Sequence, residues 1–401
     1  MQLALGIEPE SSNFEITTKI FSDRKITYRV GEFWTSKQRQ ANPIHEISYR
    51  ACFKPQLPDY FISRFTKQGD LVYDPFGGRG TTAIQAGISG RRVIQNDINP
   101  LSTLLTKPRL AAPDLGKIET RLNEIAFNKT LASSIDLSMF YHQDTLIEIL
   151  SMREYFAYRQ REESIDEIDQ WISMVATNRL TGHSSGFFSV YSFPPNQAVS
   201  QNSQKRINLK RKQVPTYRNT RDIIMRKSKS LQSKLSQVSR LNLRNSYKDA
   251  LFLSKPADQT SEILDQTVQL TVTSPPFLDI VQYSEDNWLR CWFNSLNTEE
   301  ISNKVTVLRD VTSWGKYMKS VMEELFRITK VGGYVAFEVG EVRNQTVKLD
   351  EIIVPIALSA GFDVEEVMVN LQHFTKTSNL WGVANNTQGT NTNRIVVMKK
   401  S

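Results

Sequence analysis

The sequence predicts an α/β protein: a doubly wound sheet with helices on both faces and a mostly helical insertion in the middle of the chain. Two β-type segments carry this prediction, because each ends in an unusual turn. A glycine-rich loop follows residue 73, and two consecutive prolines follow Ser274. A third observation is that residues 111–240 interrupt the alternation of strands and helices. In such sheets, ligands bind beyond the carboxyl ends of the strands.

The composition excludes several classes of protein. With 401 residues, the chain is long enough for a large α/β domain with an insertion. Its two cysteines, Cys52 and Cys291, are too few for a disulfide framework and indicate a reducing compartment. The histidines show no metal-ligand spacing, and there is neither a basic leader nor an apolar run of about eighteen residues. We therefore expect a cytoplasmic protein with no metal site and no membrane span.

The first half of the chain contains a βαβ unit of about thirty residues, the length that this motif requires. Just before it, residues 55–70 predict an amphipathic helix that ends in a Gly-Asp turn. The unit itself predicts a strand at 71–73, a glycine loop at 74–80, a helix at 81–88, a strand at 92–95 and an acidic strand end at Asp97. Residues 1–40 predict only irregular or short β structure.

The α/β alternation resumes after the insertion. A run rich in β-branched residues predicts a buried parallel strand at 267–273. Glycines after the next helical pattern predict a helix stop and a turn. The predicted elements are a helix at 314–329, the stop and turn at 330–333, a strand from Tyr334, and final strands at 364–370 and 394–399.

Glycines between a strand and a helix let a ligand approach the backbone and leave helix-start N–H groups free to bind it. Asp97 follows at the end of the next strand, where a carboxylate can bind ribose hydroxyls. The dinucleotide pattern Gly-x-Gly-x-x-Gly is incomplete, because threonines follow Gly78 and Gly80. A nicotinamide oxidoreductase is therefore disfavoured, and it would also have no use for the two-proline motif.

These motifs resemble those of a known family. "DPFGGRGTT" followed by "NDINP" resembles the S-adenosylmethionine site of amino-methyltransferases that act on DNA. "TSPPF" resembles the catalytic tetrapeptide of that family, and "ISYRACFKPQLPDYFISRF" resembles the segment that completes its methionine pocket. The resemblance covers residues 44–102 and 246–340 and implies a class I methyltransferase (Rossmann-like) fold.

The resemblance also assigns roles. The cofactor is S-adenosylmethionine, and Phe76 offers an aromatic face that suits its sulfonium. The cofactor-binding residues implied are Asp74, Pro75, Phe76, Gly77, Gly78, Gly80, Thr81, Asp97 and, at the adenine, Asp249. The catalytic residues implied are Ser274, Pro275, Pro276 and Phe277. The segments implied are 1–40 as an N-terminal segment, 41–110 as the cofactor-binding half, 111–245 as an inserted target-recognition region and 246–401 as the catalytic half.

The tetrapeptide suits methylation of an exocyclic base amine, a poor nucleophile whose lone pair is delocalised into the ring. The Ser274 hydroxyl and the Pro275 carbonyl would accept the two amine hydrogens, and rate would come from positioning and aligned dipoles. Phe277 would stack on a base flipped out of the duplex. The alternative is that Pro275 and Pro276 only terminate a strand.

The choice of base follows from the resemblance. In the family, serine at the first position of the tetrapeptide goes most often with cytosine N4, and aspartate or asparagine with adenine N6. We therefore expect cytosine N4, with adenine N6 as the alternative. Methylation of cytosine carbon 5 needs a thiolate, typically after a proline, and neither Cys52 nor Cys291 fits.

The net charge of +8 is concentrated in one stretch. Thirteen lysines and arginines lie between Lys205 and Arg244, opposed only by Asp222. Alone, such a run is a solvated helix face; beside the motifs, it predicts contacts to the phosphates of double-stranded DNA. The DNA-binding candidates are Lys205, Arg206, Lys210, Arg211, Lys212, Arg218 and Arg221.

Other functions stay open at this point. An RNA base-amine methyltransferase would share the tetrapeptide chemistry, but no separate RNA-reading module is visible. A non-catalytic DNA-binding protein on an enzyme scaffold is disfavoured by the complete motifs. A restriction-modification setting is expected, in which any cognate restriction endonuclease would be a separate chain.

Overall fold

The computed structural model describes residues 14–33, 41–49, 52–193, 198–276, 286–304, 310–342, 347–371 and 392–401. Its centre is a nine-stranded sheet in the order β1-β2-β10-β11-β7-β6-β3-β4-β5, with β8 and β9 as a separate pair. The strands are β1 Glu15–Phe21, β2 Arg24–Gly31, β3 Leu71–Asp74, β4 Arg92–Asn96, β5 Leu251–Leu253, β6 Val268–Thr273, β7 Thr329–Val339, β8 Glu341–Val342, β9 Val347–Lys348, β10 Asp363–Leu371 and β11 Thr392–Lys399.

Helices precede, connect and flank these strands. In the first part of the chain they are α1 Gln56–Phe65, α2 Thr81–Ile88, α3 Leu101–Ala111, α4 Leu115–Glu124, α5 Gln143–Arg161 and α6 Glu167–Thr177. In the second part they are α7 Gln201–Arg211, α8 Thr220–Gln232, α9 Gln237–Asp249, α10 Trp288–Phe293, α11 Thr298–Lys304, α12 Val311–Ile328 and α13 Asp350–Ala360.

Five neighbouring strands, β5, β4, β3, β6 and β7, run parallel to one another. Their carboxyl ends therefore meet at one edge of the sheet, which is where ligands bind in open α/β sheets. β11 pairs antiparallel with both β7 and β10, so it enters this edge at its amino end. The residues at this edge come from distant parts of the sequence.

The alternation of side chains along each strand fills two cores. Val72 points into a core with α1, α2 and α3, whereas Leu71 and Tyr73 point into the opposite core with α12 and α13. All four residues of β3 are buried. Burial on both faces is typical of a central parallel strand covered by helices on each side.

The chain between β4 and β5 is helical, and it packs against the sheet-covering helices: α9 lies on α2, and α3 packs on α6 and α9. Within this region, Asp169 is fully buried in the first turn of α6, where it accepts a hydrogen bond from the backbone N–H of the N-cap residue Asp166. The Asp169 carboxylate pairs with the guanidinium groups of Arg121 at 2.5 Å and Arg159 at 2.9 Å. These paired charges fix α4, α5 and α6 together.

The doubly wound α/β fold predicted from the sequence is confirmed, and α2 has the predicted bounds. The predicted helix stop and turn at 330–333 is wrong, because β7 begins at Thr329 and includes these residues. The physical reason is a ladder with the end of the chain: the Gly332 N–H donates to the Lys400 carbonyl at 2.7 Å, and the Lys400 N–H donates to the Gly333 carbonyl at 3.0 Å. No helix of the described residues is long and apolar enough to cross a membrane.

Candidate active site

The glycine loop between β3 and α2 folds tightly against β4 and α3. Gly78 and Gly80 have φ values of +50° and +75°, in the left-handed region that favours glycine. A Cβ on Gly80 would lie 2.2 Å from the Thr106 hydroxyl oxygen. Thr106 in turn accepts a hydrogen bond from the Gln95 amide at 2.9 Å. Glycine is therefore required at position 80 both by the backbone conformation and by the lack of space.

Asp97 anchors this loop from the carboxyl end of β4. Its carboxylate accepts hydrogen bonds from the Gly78 N–H at 2.7 Å and from the Asn99 N–H at 2.9 Å. Enclosure by protein raises the pKa of the Asp97 carboxyl to about 6, although these two N–H donors oppose the shift. Part of the side chain still faces solvent. Its remaining lone pairs can accept further hydrogen bonds at the crevice.

Asp74, at the end of β3, links the glycine loop to the tetrapeptide strand. Its Oδ1 accepts hydrogen bonds from the Thr273 hydroxyl at 2.7 Å and from the Phe76 N–H at 3.1 Å. Its Oδ2 is buried without a hydrogen-bond partner among the described residues, since the nearby Thr82 hydroxyl donates to the Val272 carbonyl. Burial raises the pKa of the Asp74 carboxyl to about 7, against the effect of the Thr273 and Phe76 hydrogen bonds.

The tetrapeptide follows β6 directly at the same edge. Ser274 is partly exposed, Pro275 is buried and Pro276 is exposed. The buried Trp314 indole donates a hydrogen bond to the Pro276 carbonyl at 3.1 Å, which fixes the turn after the strand. Phe277, predicted to stack on the base, lies outside the described residues.

Glu338 lies beside Ser274, and sequence reasoning missed it. It is the penultimate residue of β7, buried, and its pKa is raised to about 7 by burial, against hydrogen bonds from Ser274 and Asn393. The Asn393 amide donates to Glu338 Oε1 at 2.7 Å. A signal was available, because an acidic residue near the carboxyl end of a predicted strand is expected at the ligand edge.

Two arginines hold the segment upstream of α1 over the glycine loop. The Arg79 guanidinium donates to the carbonyls of Ile47 at 3.1 Å and Phe53 at 3.2 Å. Arg109, fully buried, donates to the Ile44 carbonyl at 3.2 Å and to the Arg79 carbonyl. The Tyr49 ring lies 3.6 Å from the position that a Cβ on Gly78 would take. The segment that resembles a methionine-pocket segment therefore covers the loop.

The other predicted cofactor residues are distributed around this loop. Pro75 is buried, and its carbonyl accepts a hydrogen bond from the Asn96 amide at 3.2 Å. Phe76 is partly buried and packs on the core beneath α12 and α13. Thr81 is the first residue of α2, and Gly77 donates its N–H to the Asn96 carbonyl at 2.9 Å. Asp249 is not brought to this edge: it is the exposed last residue of α9 and precedes β5, at the opposite edge of the sheet.

The candidate DNA-binding residues separate into two groups. Five are exposed on α7 or at its C-cap: Lys205, Arg206, Lys210, Arg211 and Lys212. Arg218 and Arg221 are partly buried. The Arg221 guanidinium donates to the Ile125 carbonyl at 2.7 Å and lies 4.0 Å over the Phe127 ring. Arg221 is therefore engaged in packing the helical region.

The start of α7 is tied to the chain that follows the tetrapeptide. The Ala198 N–H, two residues before the Ser200 N-cap, donates to the Asp286 carbonyl at 3.1 Å. Asp286 and α10 come directly after the segment 277–285, which the structure does not describe. The segment before α7 is thus hydrogen-bonded to a residue that lies ten positions after Pro276 in the sequence.

Comparison with known proteins supports the identity of this site. Residues 12–103, which contain the glycine loop and Asp97, match a family model described as DNA methylase. The likeness to DNA methylases is therefore carried by the part of the chain that holds the glycine loop and Asp97. The Type II methyltransferase M.MjaII of Methanocaldococcus jannaschii is 32% identical over 139 residues, which cover 34% of this chain and 26% of that protein. The predicted resemblance to the DNA amino-methyltransferases is confirmed.

Two further likenesses extend over more of the chain. The Type II methyltransferase M.MvaI of Kocuria varians is 22% identical over 288 residues, or 68% of this chain and 62% of that protein. The chain thus spans less than two thirds of the length of either curated relative. The solved rRNA methyltransferase aviRa from Streptomyces viridochromogenes is 10% identical, with coverage of 91% of this chain and 94% of that chain and a TM-score of 0.36.

The residues of the site fit the cofactor of the methylase family. S-adenosylmethionine carries two positive groups, a sulfonium and an ammonium, and the carboxylates of Asp74 and Asp97 lie at the strand ends that border the crevice. Asp74 Oδ2 is a buried acceptor without a partner in the described chain, and Asp97 keeps acceptor capacity at the crevice. Among the described residues, no group of histidine, cysteine and acidic side chains could hold a metal ion.

We predict that the buried Asp74 carboxyl makes the apoprotein less stable as the pH rises. Its pKa is raised from an ordinary 3.8 to about 7, so the folded protein keeps a proton that the unfolded chain loses between these values. The free energy of unfolding should therefore fall by roughly 2 to 4 kcal/mol between pH 4 and pH 7 on account of this group. Asp74→Asn should remove that contribution.

Urea unfolding of both proteins at pH 4 and pH 7, without cofactor, measures this difference. Any lost hydrogen bond in Asp74→Asn lowers stability equally at both pH values and cancels in the comparison. Identical pH dependence of the two proteins would show that Asp74 ionises normally.

Proposed function

We propose that this chain transfers a methyl group from S-adenosylmethionine to the N4 amine of cytosine in DNA, after the base leaves the duplex. The observation that carries the proposal is the hydrogen bond between Asp74 and Thr273. It joins the glycine loop to the strand that presents the tetrapeptide, so a methyl donor and a base amine would meet at one edge of the sheet. The match to DNA methylases supports DNA as the substrate.

The chain would hold the cofactor through the loop and its acids. Asp97 would bind the ribose hydroxyls, and the backbone at Gly78 would allow close approach. Asp74 Oδ2 would accept a hydrogen bond from the ammonium group. Once bound, the cofactor supplies an electrophilic methyl carbon on a sulfonium sulfur. Ionised Asp74 and Asp97 are stabilised by the nearby positive charge, which lowers the pKa that burial had raised.

The tetrapeptide would orient the nucleophile. The Ser274 hydroxyl oxygen and the Pro275 carbonyl accept the two amine hydrogens, which turns the nitrogen lone pair toward the methyl carbon. Proline removes backbone freedom at both positions, and Trp314 fixes the Pro276 carbonyl. Preorganised acceptors of this kind act mainly in the transition state.

The chemistry of cysteine supports an amine as the target. Burial raises the pKa of the Cys291 thiol to about 11, and it also raises the pKa of Cys52. Neither thiol is a thiolate at neutral pH, so neither is prepared to attack carbon 6 of cytosine.

We choose cytosine N4 over adenine N6 as the target amine because the first residue of the tetrapeptide is serine. We propose a restriction-modification setting because the relatives M.MjaII and M.MvaI are Type II methyltransferases.

The helical region between β4 and β5 would recognise the DNA target, with the boundaries 111–245 proposed from the sequence. The exposed residues of α7 and its C-cap form a basic cluster: Lys205, Arg206, Lys210, Arg211 and Lys212. The Arg211 guanidinium lies 3.7 Å over the Tyr191 ring, which holds this charge near the aromatic loop before α7. Tyr217, about half exposed, adds an aromatic group on the same stretch.

The decisive experiment identifies the methylated base. DNA of mixed sequence is incubated with the protein and labelled S-adenosylmethionine, digested to nucleosides and analysed by mass spectrometry, with RNA of matched composition in parallel. We expect N4-methylcytosine from DNA only. N6-methyladenine would correct the base, label confined to RNA would correct the nucleic acid, and no label in either would overturn the proposal.

We predict that Asp97→Ala weakens S-adenosylmethionine binding by about 1.5 to 3 kcal/mol, the value of hydrogen bonds to a charged group. Calorimetry on the folded variant measures it. Asp249→Ala is the comparison, because Asp249 is exposed at the opposite edge of the sheet; its affinity should match that of the wild type. If Asp249→Ala weakened cofactor binding and Asp97→Ala did not, the cofactor would not bind at the carboxyl end of β4.

We predict that the basic cluster sets the salt dependence of DNA binding. About six phosphate contacts give a slope near −5 for log affinity against log salt, at about −0.9 per contact. Replacing Lys210, Arg211 and Lys212 by alanine should make the slope shallower by up to about 3 units.

The matched control removes the same charges elsewhere. Lys67, Arg92 and Lys248 are exposed at the opposite edge of the sheet, before β3, at the start of β4 and before β5. Their triple alanine variant should keep the wild-type slope. Equal slopes for both triple variants would place the DNA on another surface.

A further inference from the structure

Three neighbouring strands bring an acid, an amide and a hydroxyl together at the tetrapeptide. Thr273 of β6 is in register with Phe337 of β7, so Ser274 lies beside Glu338. In the next pair, Glu338 is in register with Ile395 of β11, which places Asn393 at the same edge. The Ser274 hydroxyl and the Asn393 amide both bond to the Glu338 carboxyl. This cluster is fixed by backbone register.

Asn393 favours the ionised form of the Glu338 carboxyl and so sets the direction of the hydrogen bond with Ser274. An amide nitrogen only donates, so the 2.7 Å contact to Oε1 stabilises the carboxylate as an acceptor. An ionised carboxylate has no proton to give, so Ser274 must donate its own hydroxyl proton to Glu338. Both lone pairs of the Ser274 oxygen then face outward and can accept an amine hydrogen. A protonated Glu338 would instead donate to Ser274 and reverse this polarity.

We propose that Glu338 is a positioning residue that acts through Ser274, by orienting its hydroxyl and by taking up the proton that the amine releases. This inference rests on the proposed methyl transfer. As the amine nitrogen forms its bond to the methyl carbon with its lone pair, the carbon–sulfur bond breaks and its electrons stay on sulfur. One proton passes from nitrogen to the Ser274 oxygen, whose own proton passes to Glu338. Glu338 ends the step neutral and then releases the proton to solvent.

No neighbouring charge holds the Glu338 carboxyl in one protonation state between pH 5.5 and 8.5. The nearby guanidinium of Arg394 is committed to other acids: it lies 2.7 Å from Glu341 and 3.5 Å from Asp350. Among the described residues no ion pair of Glu338 is found, and its hydrogen bonds come from the uncharged side chains of Ser274 and Asn393. Burial also raises the pKa of Asp74, the last residue of β3, to about 7 and the pKa of Asp97, which follows β4, to about 6. Comparing the pH profile of methyl transfer in the wild type with that in Glu338→Gln separates the contribution of Glu338 from those of Asp74 and Asp97.

The test is single-turnover methyl transfer from labelled S-adenosylmethionine to DNA, measured from pH 5.5 to 8.5 for four proteins: wild type, Glu338→Gln, Ser274→Ala and the double variant. Glutamine keeps the size of the side chain, but with its oxygen held by Asn393 it presents an N–H to Ser274. We expect a rate loss on the order of a hundredfold, comparable to losing one preorganised hydrogen bond in an active site. Cofactor affinity should not change.

Two readouts distinguish positioning through Ser274 from a merely structural role. In the Ser274→Ala background, Glu338→Gln should lower the rate of methyl transfer by less than about threefold. The reason is that the effects of substitutions in residues that act as a unit are not additive. The wild-type rate should rise through about pH 7, and Glu338→Gln should lose that part of the pH profile. Glu338→Asp should keep the rise at a lower rate, since it keeps an ionisable group.

The control Glu365→Gln makes the same chemical change on the exposed surface of β10 and should leave rate and profile unchanged. Additive losses in the double variant, or a wild-type pH profile in Glu338→Gln, would overturn the inference. If Glu338→Gln melts at a lower temperature, Glu338→Asp alone decides through its pH profile. A wild-type protein that methylates no DNA would instead overturn the proposed function.

Discussion

The hydrogen bond from Thr273 to Asp74 is the contact on which the rest of the site depends. β3 and β6 are neighbours in the sheet but lie about two hundred positions apart in the chain (|i−j| = 199). A second buried bond, from the Thr82 hydroxyl of α2 to the Val272 carbonyl of β6 at 3.0 Å, braces the start of α2 against β6. Because both bonds are buried, sliding either strand would leave polar groups unsatisfied at a cost of about 1 to 3 kcal/mol each. The distance between the glycine loop and the tetrapeptide is therefore held by the fold itself.

Three acids stand at the carboxyl ends of three strands: Asp74 on β3, Asp97 after β4 and Glu338 on β7. Burial raises the pKa of each toward neutrality, and each is held by donors that are neutral: backbone N–H groups, hydroxyls or an amide. An arginine partner would have kept these acids ionised at all times and blocked their lone pairs. With neutral donors, their charge state responds to what enters the crevice. This is the arrangement expected where a cationic ligand or a transferred proton has to be accommodated.

The sequence predicted the parts of this site that depend on local order. Gly78, Gly80 and Asp97 fall in one βαβ unit, so short-range spacing was enough to place them. The position of Glu338 near the end of a predicted strand was visible in the sequence, but its partners Ser274 and Asn393 come from strand register and could not be predicted. Trp314 was missed because its role comes from packing of a helix against the turn after β6. Asp249 was placed by resemblance in a turn, whereas the helix α9 continues through it and leaves it at the far edge. The prediction of a turn at 330–333 was wrong for a similar reason. These residues continue β7 because Gly332 and Gly333 bond to Lys400, which is distant in the sequence.

The opposite charges of α7 and the crevice have a consequence for what the crevice admits. A phosphodiester strand is attracted to the exposed lysines and arginines of α7, and it is repelled by the acids at the strand ends when these are ionised. A nucleobase carries no net charge, so it crosses this reversal of the field without penalty. The protein thus has the charge distribution of an electrostatic sieve, which retains the backbone outside while a neutral ring passes inward. Any ligand that combines a polyanionic chain with uncharged side groups would be sorted in the same way.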